Sequence, residues 1–343
     1  MAAPNITISN PLIIISIIVS FASCFLMLPY WIRRAKKTGL TGKDMNKKDK
    51  PEVAELGGVV VIAGFLLGVL VYLAIDTFYL KHSSIEMQLN RDLKIAAGLL
   101  TLMIITIIGL VDDILGWKIG LRQWQKPILA AFAALPLMVV NSGTSQIALP
   151  LIGVIDVGIL FPLIVIPIAI SGASNAFNML AGYNGIEAGM GIIILSALGY
   201  RAWANDIGWV AIMAGCMVAA LIAFYFYNKY PAKIFPGDTM TYSVGASIAI
   251  IAILGNIERL ALFLFIPYFL EFILKFRGLM QKESFAIPNE DNSLRKPYEK
   301  FYGIEHVVIG LLTKIKKKAF EKEVVYTIFA FEAVIAVIGL SIW

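Results

Sequence analysis

The chain has 343 residues, 59% hydrophobic and 15% charged, with a net charge of +6 and a mean hydropathy of +0.80. Soluble domains carry about 25% charged residues, so this composition excludes an ordinary soluble enzyme. The positive charge calls for no nucleic-acid partner, because membrane proteins gather Lys and Arg on their cytoplasmic loops.

Taken in chain order, ten apolar runs are expected to span a bilayer. Six are clear, at 12–30, 57–75, 95–111, 209–227, 260–276 and 324–343, and four are weaker, at 127–140, 158–171, 186–200 and 240–254. The fold expected is therefore all-α: one polytopic integral membrane domain over 1–343 with about ten transmembrane helices. The first run follows neither a basic leader nor a small-residue cleavage site, so it reads as a retained span. Asn5-Ile6-Thr7 matches a glycosylation acceptor pattern, to which no weight is given. Cys24 and Cys216 both lie inside apolar runs, which leaves no disulfide framework and no cysteine metal site.

Charge sets the direction of the runs. If the loops after the first, third, fifth, seventh and ninth runs share one face, only Lys81, Arg91, Lys94, Arg201 and Arg259 of the 29 basic residues fall on the other. The positive-inside rule then makes the basic face cytoplasmic and puts both termini outside. The stretch 303–323 has apolar residues at near-helical spacing and a basic end. It is expected either to lie along the membrane surface against anionic lipid or to be a solvated helix leading into the last run.

Every unusual polar stretch falls on the basic face. The third run ends in "IIGLVDDILGW" (107–117), with Asp112 and Asp113 adjacent. A pair of carboxylates at a helix C-terminus opposes the macrodipole, which calls for a compensating cation, either Lys126 or a metal. "NAFNMLAGYNGIEAG" (175–189) holds three Asn and closely spaced Gly, more than a turn needs and suited to holding a ligand. "KYPAKIFPGDTMTY" (229–242) contains Asp238, which could also serve as a helix N-cap. The only histidines are His82, expected outside, and His306, so neither a histidine zinc site nor a Ser-His-Asp triad is expected on this face. Asp and Asn oxygens suit Mg²⁺, or Mn²⁺ in its place, and Mg²⁺ typically takes few protein ligands plus substrate phosphates.

The ordered set "DDILGW…K", "NAFNMLAGYNGIEAG" and "FPGDTMTY" resembles the polyprenyl-phosphate N-acetylhexosamine-1-phosphate transferases. The likeness is closest to the eukaryotic and archaeal UDP-GlcNAc–dolichyl-phosphate GlcNAc-1-phosphotransferases, and "NKKDKPEVAELGG" (46–58), with Lys47 and Glu55, is similar to that family's first cytoplasmic motif. The resemblance implies a UDP-sugar donor, a polyprenyl or dolichyl phosphate acceptor, and release of UMP at the cytoplasmic face of a plasma membrane, prokaryotic and of archaeal type. It also implies that Asn178 and Asp238 hold Mg²⁺, that Lys126 neutralises phosphate charge, and that Asn184 with the Gly182 backbone reads uracil. Asn175 belongs to the same substrate-binding motif, and Asp112 and Asp113 match the family's paired acids.

One loop departs from the family pattern. "PNEDNSLRKPYEKFYGIEH" (288–306) has neither a Pro-Arg-His-Arg type nor a His-rich motif. Arg295, Lys296 and His306 are the candidate sugar or phosphate contacts there. Two alternatives remain: the same chemistry on UDP-MurNAc-pentapeptide or another UDP-hexosamine, and an ion-coupled transporter. A transporter would place acids near mid-membrane between related repeats. Here the acids gather at one interface, and no repeat is visible. Glu271 and Glu332, inside expected runs, are each expected to be paired or near an interface.

Overall fold

The computed structural model describes residues 11–80, 84–149 and 153–343; Asn5-Ile6-Thr7, Lys81 and His82 lie outside them. Every residue of helix α9 (Gly237–Gly255) from Thr239 onward is buried. Around it pack α2 (Gly57–Phe78), α3 (Ile85–Ile119), α6 (Ile166–Met179), α7 (Ile186–Ala204) and α8 (Gly208–Asn228). Close approach depends on small residues. A Cβ at Gly58 would lie 2.4 Å from the Met240 backbone nitrogen, one at Gly109 2.7 Å from the Asp238 carbonyl, and one at Gly245 2.5 Å from the Ala173 carbonyl. Helices in lipid associate through such backbone proximity rather than through a hydrophobic driving force.

Outside this core, α1 (Pro11–Thr38) packs on α2 and α8, while α4 (Gln125–Ala133) and α5 (Leu135–Val139) lie against α3 and α6. The chain finishes with α10 (Glu258–Leu264), α11 (Ile266–Arg277), α12 (Ile304–Lys316) and α13 (Glu321–Ile342). Three antiparallel ribbons punctuate the helices: β1 (Thr41–Lys43) with β2 (Glu52–Ala54), β3 (Gln146–Leu149) with β4 (Gly153–Asp156), and β5 (Ile287–Pro288) with β6 (Leu294–Arg295). The outer faces of α1 and α13 expose apolar side chains such as Leu26 and Val337, a surface fitted to hydrocarbon.

Among the described residues, seven helices are long and apolar enough to cross a membrane: Ile14–Thr38, Gly57–Phe78, Ile85–Gly116, Phe161–Met179, Gly208–Asn228, Gly237–Gly255 and Glu321–Ile342. Three of the ten expected runs are built differently. The run at 260–276, read as one clear span, is two helices that break at Phe265 ahead of Pro267. The run at 127–140 breaks at Ala134 ahead of Pro136. In both, proline removes a helical donor and clashes with the preceding turn. The third, α7, is one unbroken helix but carries Glu187 in its first turn and Arg201 in its last.

The intramembrane glutamates also divide. Glu271 accepts the Ile304 N–H at 2.6 Å and meets Lys275 at 3.4 Å, as expected of a paired group. Glu332 is buried, and neither of its carboxylate oxygens has a hydrogen-bond partner among the described residues.

Candidate active site

Asp112 and Asp113 sit one residue apart near the end of α3, so their side chains leave the helix about 100° apart. That rotation separates their partners. Asp112 Oδ2 lies 2.6 Å from Lys126 Nζ, and its Oδ1 accepts the Leu121 N–H at 2.6 Å, closing the turn that follows the break at Gly116. Asp113 turns the other way, into the start of α9. It accepts the Asp238 N–H at 2.7 Å, the Thr239 N–H at 2.9 Å and the Thr239 hydroxyl at 2.5 Å. The expected electrostatic cost of two acids at a helix C-terminus is met twice over, by Lys126 for one and by the positive end of another helix for the other.

Gly237 makes the second contact possible. Its φ of +71° suits glycine, and a Cβ there would lie 2.5 Å from Asp113 Oδ2. Asp238 is not the helix cap: Pro236 holds that position, and Asp238 stands inside the first turn. Its carboxylate is free to face the site, where Oδ2 lies 2.7 Å from Lys126 Nζ. Burial opposes charge on Lys126, but the carboxylates of Asp238 and Asp112 outweigh it and keep the lysine protonated above its ordinary range.

Side chains from α6 and α9 complete this cluster. Asn178 Nδ2 stands 3.5 Å from Asp238 Oδ2, and its Oδ1 accepts the Thr241 hydroxyl at 2.8 Å. Asn175 Oδ1 accepts the Tyr242 hydroxyl at 3.0 Å, and its Nδ2 donates to the Ser171 carbonyl at 2.8 Å. Lys126 Nζ also lies 5.7 Å from the centre of the Tyr242 ring. Glu55 sits behind the cluster, where burial and the Asp113 charge raise its pKa.

A second knot of polar groups ties the loops beside this cluster together. Lys47 is buried, in ion pairs with Glu321 and, at 3.3 Å, Asp44. Asn184 donates its N–H to Glu321 at 2.7 Å and its amide to Asp44 at 3.1 Å, and its Oδ1 accepts the Ala232 N–H at 2.7 Å. Gly182 donates to Glu187 at 2.8 Å, and its carbonyl accepts from Asn46 at 2.9 Å. Lys47, Gly182 and Asn184 therefore stand together, each already engaged with protein groups.

The remaining candidates are placed elsewhere. Arg295 and Lys296 line a cleft beside α12 that shares no lining residue with the groove at Lys126. His306 is buried, with Nε2 3.1 Å from the Ser284 carbonyl, and burial lowers its pKa. That carbonyl also accepts the Tyr183 hydroxyl at 3.2 Å, so His306 reaches the Gly182 loop through one shared acceptor.

The groove is large and mostly apolar. It encloses about 1230 Å³ and is lined by Lys126, Asn178, Tyr242, Ala249, Ala252 and Glu258, with Phe269 and Phe272. Its charged lining residues are Lys126, Glu258, Lys275, Lys282 and Glu283, and most of the remaining wall is apolar and suits hydrocarbon.

Sequence reasoning missed several participants. Thr239, Thr241 and Tyr242 lie inside the quoted "FPGDTMTY", where three hydroxyls within four residues of a buried helix start were the available signal. Asp44 stands two residues before the quoted first motif. Glu321 has no local signal, since a carboxylate at the start of a span reads as a boundary charge.

Comparison with known proteins gives a consistent result. The sequence profile of glycosyl transferase family 4 matches residues 95–256, which contain Asp112, Lys126, Asn178 and Asp238. A Saccharolobus solfataricus protein is 38% identical over 96% of both chains, and one from Sulfolobus acidocaldarius 33% identical over 96% of this chain and 95% of its own. Both are named as UDP-N-acetylglucosamine–dolichyl-phosphate N-acetylglucosaminephosphotransferases. A phospho-N-acetylmuramoyl-pentapeptide-transferase of Halalkalibacterium halodurans is 30% identical over 72% of this chain and 76% of its own. With a site built from the residues inside the matched segment and relatives aligned almost end to end, this chain is a member of glycosyl transferase family 4.

Proposed function

We propose that the chain transfers N-acetylglucosamine 1-phosphate from a UDP-sugar to a polyprenyl or dolichyl phosphate at the cytoplasmic membrane face. An oxygen of the lipid phosphate attacks the β-phosphorus of the donor. The bond from that phosphorus to the bridging oxygen breaks, giving a lipid pyrophosphate-linked sugar and UMP, the first membrane step of lipid-linked glycan synthesis. The observation that carries this reading is the Asp112–Lys126–Asp238 cluster, whose lysine lines a large, mostly apolar groove. A lipid-borne phosphate fits both halves of that site, and the names of the two archaeal relatives agree.

The same reading takes ten crossings, with α4–α5, α7 and α10–α11 joining the seven helices that are long and apolar enough to cross. On that path the loops after the odd-numbered crossings share one face, in keeping with contacts such as Lys126–Asp238, Asn184–Ala232 and Asn46–Ala286. These loops carry nearly all the Lys and Arg, which supports a cytoplasmic site.

Lys126 is held between two carboxylates and can exchange one for a phosphate oxygen without leaving its place. Asp112 keeps Lys126 aimed at the groove, and Tyr242 and Asn175 brace the wall beside it. A phosphate monoester has its second pKa near about 6, so the acceptor is already dianionic at neutral pH and needs little help from a base. Positioning and charge neutralisation are then the main sources of rate. The Asp238 and Asp112 carboxylates offer oxygens of the kind Mg²⁺ takes alongside substrate phosphates. Asn178 turns its amide nitrogen to Asp238 and its oxygen to the Thr241 hydroxyl, so it would join the ion through Oδ1 only with its amide turned over. When bound, Mg²⁺ would neutralise diphosphate charge.

The test is mass analysis of the lipid product. Purified protein given polyprenyl phosphate and UDP-GlcNAc should form the GlcNAc pyrophosphate lipid and UMP in equal amounts. The Halalkalibacterium relative favours a second reading in which UDP-MurNAc-pentapeptide is the donor. Product from that donor alone would select it, and product from neither would end both.

A further inference from the structure

Arg295 and Lys296 stand away from the catalytic cluster and line a cleft of about 740 Å³ between β6 and α12. Its floor is apolar, built from Leu294, Phe301, Val307 and Leu311, and its rim is basic, with Arg295, Lys314, Lys317 and Lys318. Helix α12 is apolar on two sides. Ile304, Val308, Ile309 and Leu312 are buried, while Val307, Leu311 and Ile315, four residues apart, are exposed. Of the rim cations, Lys318 pairs with Asp291 and Lys296 Nζ reaches the Glu299 carbonyl. Lys314 and Lys317 are exposed and face no carboxylate in any ion pair among the described residues.

We propose that this cleft seats an anionic phospholipid, with the phosphate headgroup on Lys314, Lys317 and Arg295 and the glyceride and first methylenes on Leu311 and Val307. Three observations favour this occupant. The rim is exposed, so a small soluble anion would gain little there against salt screening. The apolar floor rewards a ligand with hydrocarbon attached to its charge. The cleft also lies where α11 ends and α13 begins, at the end of the bundle that carries Asp238, so the nearest anionic surface is the bilayer itself. A basic helix with an exposed apolar stripe binds such a surface by both terms.

The test reads lipid contact rather than turnover, so it stands apart from the transfer reaction. Ile315→Cys would be labelled with a fluorescent dye in the full-length protein in nanodiscs; Cys24 and Cys216 are buried and stay unlabelled. Brominated phosphatidylglycerol should quench the dye more strongly than brominated phosphatidylcholine at equal mole fraction. Lys314→Gln with Lys317→Gln should weaken the phosphatidylglycerol preference on the order of ten-fold, and the paired Arg substitutions should keep it. Equal quenching by the two lipids, or a preference that survives the Gln pair, overturns the proposal. So does loss of the preference on adding inorganic phosphate, which assigns a free-anion site, or on adding soluble polyglutamate, which assigns an acidic polypeptide.

Discussion

Thr239 is held to Asp113 by two hydrogen bonds, one from its backbone N–H at 2.9 Å and one from its hydroxyl at 2.5 Å. With the Asp238 N–H they fasten the first turn of α9 to the end of α3. Of the paired acids, Asp113 therefore ties two helices together, while Asp112 holds Lys126. Asp113→Asn keeps the shape but turns an amide N–H₂ toward groups that donate. Losing a charge-assisted bond of this kind costs about 1.5–3 kcal/mol. Thermal unfolding in detergent should show a larger loss of stability for Asp113→Asn, which faces three donors, than for Asp112→Asn, whose amide oxygen can still accept the Leu121 N–H. Equal stability of the two variants would remove the division of roles.

Asp112 and Lys126 should behave as one unit. If Asp112 positions Lys126 and the acceptor, Asp112→Asn retains measurable turnover that climbs between about pH 6 and 7, following ionisation of the lipid phosphate. The losses from Asp112→Asn and Lys126→Ala should then combine to less than their sum. Turnover against pH for both variants and the double, at saturating donor, is the measurement. Additive losses, with an Asp112→Asn rate flat near background, would instead make Asp112 a required base.

Asp238→Asn and Asn178→Ala should each lower turnover by roughly 10²-fold, the scale of losing one preorganised electrostatic group. EDTA should abolish activity and added Mg²⁺ restore it. Full turnover in EDTA would exclude the divalent ion and leave Lys126 as the principal cation at the phosphates.

Single cysteines at Lys48, Gly116, Lys233 and Lys296 should react with an impermeant reagent from one side, and a cysteine at Ser84 from the other. The ten-crossing path requires this division. Reaction of the Gly116 and Ser84 positions from the same side would refute it.

Much of the site was legible because its residues are chemically unusual for their surroundings. Asp112, Lys126, Asn178 and Asp238 are polar groups at the ends of apolar runs, and the structure brings those four together. The different duties of Asp112 and Asp113 were not legible, since they depend on which neighbouring helix each side chain meets. Nor was the knot of Asp44, Lys47, Asn184 and Glu321, which joins residues more than 270 positions apart through charges that look ordinary in isolation. The breaks in the fourth and ninth runs were signalled by Pro136 and Pro267. Apolar content alone made those segments look continuous.

Gly58 of α2 and Gly109 of α3 bring their backbones against α9, and α9's own Gly245 brings it against α6, so the helix is closely packed on three sides. The segments around Asn46, Asn184 and Ala286, by contrast, are joined to one another through polar contacts made outside the helical core. If those loops read the donor, as the family resemblance implies, reaction geometry and donor preference would reside in separable parts of the chain. A lineage could then recut those loops to accept a different sugar nucleotide while the helical packing stays unaltered, so diversification within this architecture would be read in its loops before its helices.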